Sequence, residues 1–298
     1  MNTSQASPQA AKDVFAKFIK HALQPLIILA VLGYWVFDPE NPLIHPIVLL
    51  SVQLLLGTLE YLLPARPDWL QPLKEKLTLI AILVFVYAFT VAVGVAYDYL
   101  FRAPLGELRA ALGMNIWPGD WPMLIQVLLA FFMAEFIWYW FHRAEHRWQI
   151  VWRLSGHGAH HSFKHLGAIN SGANHPIEMF VILVPSMLVE MLFGAGLAAV
   201  GAGVLTITQA SIAHCNINMN TRYIGLLFTT SRYHIHHHSV VLEESNTNYG
   251  CAAIIWDRVF GTFADASTRE TGTGPTEPSL WGKLLMPIKE PADTQVAP

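Results

Sequence analysis

PMLIQVLLAFFMAEFIWYWFHRAEH, residues Pro122–His146, is the stretch on which the fold turns. Its apolar run from Pro122 to Phe141 matches the roughly 20 residues a helix needs to cross a hydrocarbon core. The run ends in two histidines four positions apart, His142 and His146. That spacing puts both imidazoles on one face of a helix leaving the bilayer. A span that delivers a pair of metal-binding side chains to the membrane surface is therefore expected.

The rest of the chain agrees with a membrane setting. Of 298 residues 53% are hydrophobic and 13% charged, whereas soluble domains carry about 25% charged residues. The net charge is -3 and Lys and Arg form no basic face, which excludes a nucleic-acid partner. The two cysteines, Cys215 and Cys251, are too few for a disulfide framework, sit in no CxxC pattern and read as packing residues.

Three further apolar runs, Leu23–Phe37, Leu43–Leu63 and Leu77–Ala96, read as transmembrane helices, the first as a signal anchor rather than a cleaved leader. The long stretch from Ile177 to Ala213, interrupted by Gly194, Gly196, Gly201 and Gly203, suits a helical hairpin that returns to its own side. The amino-terminal tail (Lys12, Lys17, Lys20) and the Pro64–Lys76 loop (Arg66, Lys74, Lys76) are basic, while Asp38–Pro42 holds only acidic charge. Short basic loops stay in the cytoplasm. The amino terminus is thus expected inside, and four crossings return His142 to the cytoplasmic face. The expected fold is all-α: a polytopic membrane bundle with a cytoplasmic histidine-rich cap holding a dimetal site.

Twelve of the 14 histidines fall between His142 and His238. After the His142/His146 pair come His157, His160 and His161 in an HxxHH spacing. His234, His237 and His238 repeat it, with His175 and His214 between the two groups. Neutral imidazoles suit iron, zinc, copper or nickel. One tetrahedral zinc takes about four ligands, so the number points to two metals. His21 and His45 read as interfacial polar residues; His165 and His236 break the spacing and read as supporting or surface residues.

These segments resemble the fatty acid hydroxylase and sterol desaturase superfamily of membrane diiron enzymes. WYWFHRAEH (Trp138–His146) resembles its first histidine box and VWRLSGHGAHHS (Val151–Ser162) its second. NHPIE (Asn174–Glu178) resembles the HP element and AHCNIN (Ala213–Asn218) the single-histidine element. RYHIHHHS (Arg232–Ser239) resembles the third box, and NTNYG with IIWDRVFGTF (Asn246–Phe263) the carboxyl-terminal signature. The resemblance divides the chain into residues 1–121, a tail and three spans; residues 122–263, the catalytic domain; and residues 264–298, a loosely ordered tail.

The resemblance implies two iron ions, O2 as co-substrate, a lipid substrate from the bilayer, and electrons from a separate ferredoxin or similar carrier with its reductase. It implies His142, His146, His157, His160, His161, His175, His214, His234, His237 and His238 as ligands. In two places the chain departs from the family. Glu135 stands seven residues before His142 where the family usually has Asp, and is expected to orient a liganding histidine. Asn218 stands where some relatives have a further histidine, leaving that position empty or to an amide acting through water. Hydroxylation of a lipid C–H bond is the expected reaction, with desaturation the alternative. A metal transporter would want its ionisable ligands in mid-span, and a protein with a dead site would show a broken box; neither pattern is present.

Overall fold

The computed structural model describes residues 8–219 and 222–289, with side chains from residue 13 onward. Part of the basic tail and the last nine residues lie outside the described residues.

The architecture is all-helical; among the described residues only two isolated bridges, Pro64 to Ile217 and Ser239 to Thr271, have β character. Four long helices come first: α1 (Pro8–Phe37), α2 (Ile44–Leu62), α3 (Leu73–Ala111) and α4 (Met123–Arg147). Two short ones, α5 (Gln149–Ser155) and α6 (His157–His161), follow α4 directly. Next come α7 (Glu178–Ile182), α8 (Val184–Met187) and a π-turn over Leu188–Leu192, then the long α9 (Leu197–His214). The remainder is α10 (Ser231–His237), α11 (Leu242–Ser245), α12 (Ile255–Phe260) and α13 (Leu280–Leu285).

Five helices are long and apolar enough to cross a membrane: residues 13–37 of α1, α2, α3, α4 and α9. The central one is α9, 67% buried over its apolar window. Small residues let it pack closely: Ala198, Ala199, Gly201 and Ala202 line it, and a Cβ on Gly201 would lie 2.7 Å from Trp35 and Val127. Apolar lipid supplies no hydrophobic drive between spans, so close contact of this kind has to hold them.

Three expectations change. The third span, expected over Leu77–Ala96, is a 39-residue helix, about 58 Å long at 1.5 Å per residue, and so overruns a hydrocarbon core of about 30 Å. Its far end is held to the hairpin, with Arg102 on Glu190 at 2.6 Å and Arg109 donating to the Met191 carbonyl at 3.3 Å. The hairpin turns at Gly194 and Gly196, both at positive φ, whereas Gly201 and Gly203 lie inside α9. Its first leg is broken into α7, α8 and the π-turn, since Pro185 cannot continue a helix from α7. Residues 264–289, the described part of the expected loose tail, are folded against the cap: Lys164 N–H donates to Glu277, Thr271 to the Lys164 carbonyl, and Lys283 pairs with Glu277 at 2.6 Å.

A buried carboxylate ties the cap to the spans. Glu60 of α2 accepts from Ala168 N–H at 2.7 Å, Asn216 N–H at 3.0 Å and the Lys76 ammonium at 3.3 Å. These three donors hold the loops after the second histidine group and after α9 to one point at the membrane boundary.

Candidate metal centre

Nine imidazoles from four helices, His238 from the residue that caps the last of them, converge in two adjacent pockets. His142, His146, His157, His161 and His237 form one, and His160, His214, His234 and His238 the other; all nine are buried. The two HxxHH groups are wired crosswise. In α6 the i and i+4 members, His157 and His161, face the first pocket, and the i+3 member, His160, faces the second. In α10 the i and i+4 members, His234 and His238, face the second pocket, and His237 faces the first. One helix turn separates i from i+4, whereas i+3 projects to the neighbouring side, so each short helix serves both pockets. α4 adds the pair His142/His146 to the first, and the end of α9 adds His214 to the second. His161 and His238 stack across the boundary with ring centroids 4.2 Å apart.

The outer nitrogens fix the inner ones. His142 Nδ1 lies 2.5 Å from the Tyr249 carbonyl, His237 Nδ1 2.7 Å from the Thr247 carbonyl, and His214 Nδ1 2.8 Å from the Ala210 carbonyl. His157 Nδ1 is 2.7 Å from Glu178 Oε1. A carbonyl oxygen only accepts, so the Nδ1 atoms of His142, His237 and His214 carry the proton and their Nε2 atoms are bare lone pairs; the Glu178 carboxylate orders His157 the same way in its ionised form. In the first pocket His142 Nε2 stands 3.0 Å from His157 Nε2 and 3.1 Å from His237 Nε2. In the second, His214 Nε2 is 3.1 Å from both His160 Nε2 and His234 Nε2. Lone pairs that close repel one another unless a cation lies between them. The donor set therefore fits a pair of metal ions, and histidines held through their outer N–H are the usual form of metal ligand.

Burial keeps these imidazoles neutral. It holds His157, His160, His161, His234, His237 and His238 well below their ordinary 6.5, and the surrounding imidazoles push the same way.

The loop that supplies two of these carbonyls is itself tightly held. Asp257 accepts from Tyr249 N–H at 2.8 Å, Gly250 N–H at 2.7 Å and the Thr262 hydroxyl at 2.6 Å. Asn248, at φ 55°, pairs its amide with Tyr233 and Ala264 backbone groups. The NTNYG and WDRVFGTF segments thus present the Thr247 and Tyr249 oxygens to His237 and His142. Trp138 stacks on His142 at 5.4 Å, and Trp152 sets its ring edge-on or tilted against His146, His157 and His161. A small cavity opens beside His146 and His161, lined by Trp152, Ser239, Ser245 and Thr273.

The profile of the fatty acid hydroxylase family matches residues 127–262, the part of the chain that carries all nine converging histidines. An ornithine lipid hydroxylase, OlsE of Rhizobium tropici, is 31% identical over 94% of this chain and 87% of its own length. The chain belongs to the fatty acid hydroxylase family. Human alkylglycerol monooxygenase is 28% identical over 50% of this chain and 33% of its own length. A rice very-long-chain aldehyde decarbonylase is 30% identical over 48% and 24%. No solved structure matches the chain. As a member of the fatty acid hydroxylase family with five helices long and apolar enough to cross a membrane, the protein is an integral-membrane oxidoreductase acting on lipid.

Of the ten histidines that the family resemblance implied as ligands, His175 alone stays out of both pockets. Its Nδ1 accepts from Ile177 N–H at 3.1 Å and its Nε2 donates to the Leu284 carbonyl at 3.1 Å. The ring lies where a Cβ on Gly156 would be, 2.6 Å from His175 Cγ, which is why glycine stands there. The following Pro176 and the start of α7 turn the imidazole toward α13 and away from both pockets. Among the described residues no hydrogen bond joins Glu135 to a histidine. It accepts from the Thr206 hydroxyl at 3.1 Å and Ala252 N–H at 3.2 Å, joining α4 to α9 and to the loop after Tyr249. Asn218 is exposed, because the chain leaves the helical register after His214. The buried neighbour Asn216 instead pairs with both backbone groups of Arg66.

Two carboxylates escaped the sequence reading. Glu178 holds His157, and Glu145, buried between His142 and His146 in sequence, lies 3.6 Å from the same Nδ1. Their positions inside HRAEH and HPIE were the available signal, since a carboxylate inside a histidine-rich, charge-poor segment has few reasons to be there besides a histidine.

Proposed function

We propose that the protein is a diiron hydroxylase that inserts one oxygen atom of O2 into a C–H bond of a membrane lipid, and that the lipid is an acyl lipid with a polar head group. The convergence of nine neutral imidazoles on two adjacent points carries the reading. Five donors in one pocket exceed the four of a tetrahedral zinc, and imidazole suits iron. The similarity to an ornithine lipid hydroxylase along nearly the whole chain supports the head-group class. His142, His146, His157, His161 and His237 would hold one iron, and His160, His214, His234 and His238 the other. When bound, the irons supply the reduction of O2 and the oxidant that attacks an unactivated C–H bond.

The chain's own residues position and protect that chemistry. Glu178 keeps the His157 proton on Nδ1, while Tyr249 and Thr247 carbonyls do the same for His142 and His237. Trp138 and Trp152 cover the ligands with apolar surface, and the small cavity at His146 gives solvent protons a route in. The basic early loops support a cytoplasmic position for the cap, where an external ferredoxin-like carrier can deliver electrons.

Membranes containing the protein, supplied with reductant and isotopically labelled O2, test the proposal. One labelled oxygen per product lipid is the expected result, with about two irons per chain. A product two hydrogens lighter and without label would replace the hydroxylase reading by a desaturase one.

A further inference from the structure

Two short helices of the cap are amphipathic the wrong way round for a protein surface in water. On α13 the exposed side carries Trp281 (73% exposed), Leu285 (45%) and, just beyond the helix, Ile288 (77%), while the buried side carries Lys283 (7%). Trp281 and Leu285, four positions apart, share one face of the helix, and Ile288 follows them in the turn after it. On α5 Ile150 (63%) and Leu154 (62%) point outward and Trp152 is buried. The Arg153 guanidinium donates to the Ile288 carbonyl at 3.2 Å, which joins the two outward faces into one patch. A contiguous apolar surface of this kind marks a contact.

We infer that α5 and α13 together form a monotopic membrane contact, lying in the head-group region of the same bilayer that α4 crosses. Two independent depth markers put them there. α5 starts two residues after the end of α4, and its exposed residues continue the lipid-facing row of Phe136, Trp140 and Phe141 through Trp148. α13 is held by its Leu284 carbonyl to His175, the residue from which the chain turns into the membrane hairpin. The charges also suit a lipid surface: Arg147 and Lys289 are exposed at the edges of the patch, and the nearby Glu277 is paired with Lys283. Tryptophan, aliphatic side chains and flanking basic groups are the composition of interfacial helices. Lipid therefore covers this face, and the C-terminal segment presses the histidine cap onto the bilayer. The inference rests on the protein being in a membrane and not on which reaction it catalyses.

Nitroxide labels report the environment directly. In the full-length protein with Cys251→Ser, labels are placed by Trp281→Cys or Ile288→Cys and the protein is set in nanodiscs of phosphatidylcholine and phosphatidylglycerol. Collision with O2 should exceed collision with a water-soluble nickel complex, as at the lipid-facing control Leu124→Cys and opposite to the exposed polar control Glu243→Cys. Metal content equal to that of the parent protein shows that the cap is folded. Nickel-dominated collisions at both positions would overturn the inference. Low collision with both reagents accompanied by spin–spin broadening would assign the face to a second copy of the chain, and would overturn it equally.

Discussion

Glu178 shows how much a single residue can matter without meeting a metal. It fixes the proton of His157, a histidine whose Nε2 faces both His142 and His146. Replacing such an outer partner typically weakens metal binding by roughly 10- to 100-fold, and Glu178→Ala is expected to show this in metal-competition titrations while His175→Ala retains two metals. The two pockets also differ. Among the described residues, His160, His234 and His238 have buried Nδ1 atoms with no protein partner, whereas His142, His157 and His237 are anchored. The four-histidine pocket should therefore release its metal first to a chelator, seen as a stoichiometry falling from two to one before activity-independent spectra of the remaining ion change. Acid should empty both. Their folded-state pKa values lie below the ordinary 6.5, so unfolding takes up protons as pH falls beneath that value. Stability and metal retention are then full above about pH 6.5 and decline below it; metal content measured across a pH series checks the direction.

At the scale of the element, the decisive feature is the close packing of α9. Gly201 sits where Trp35 of α1 and Val127 of α4 leave no room for a Cβ. Overpacking a filled core costs about 1–3 kcal/mol, so Gly201→Val should lower the thermal unfolding midpoint in detergent, and Gly33→Ala, where nothing lies within 4 Å of the added Cβ, should shift it much less. Because α9 also carries His214, strain at Gly201 would reach the second pocket along one rigid helix. The short helices follow a different rule. α6 and α10 are 5 and 7 residues long, below the length at which a helix is stable alone. They persist because the loops held by Glu60 and Asp257 fix their ends.

For the whole molecule, the expected disposition has α3 overrunning the membrane on one side and the histidine cap on the other. A thiol at Asp120→Cys should react with an impermeant label only from outside the cell, and one at Glu243→Cys only from the cytoplasm; both positions are exposed. Reversed sidedness would reject the cytoplasmic cap. Much of this plan was legible in the primary structure. The existence of α1, α2 and α4 and of a glycine-turned hairpin followed from apolar run lengths, and nine of the ten histidines named through the family resemblance are the ones that converge. The far half of α3 was not, since the apolar run ends at Ala96, and beyond it the helix is tied to the hairpin through Arg102 on Glu190 and Arg109 on the Met191 carbonyl.

By itself the sequence determined the membrane class, the all-helical architecture and, His175 apart, the set of histidines that gather in the two pockets. Those properties depend on side-chain chemistry and on spacings within one helix turn, which are local. Only the tertiary structure decided which histidine serves which pocket, and that His175 holds α13, Glu135 braces α9 and Asn218 faces solvent. It alone showed Glu178 beside His157 and the Tyr249 and Thr247 carbonyls behind His142 and His237, because these contacts join residues 21, 107 and 10 positions apart through the rotation of separate helices and the path of a loop. Spacing along a chain fixes which side of its own helix a residue occupies. Which partner waits on that side is set by packing.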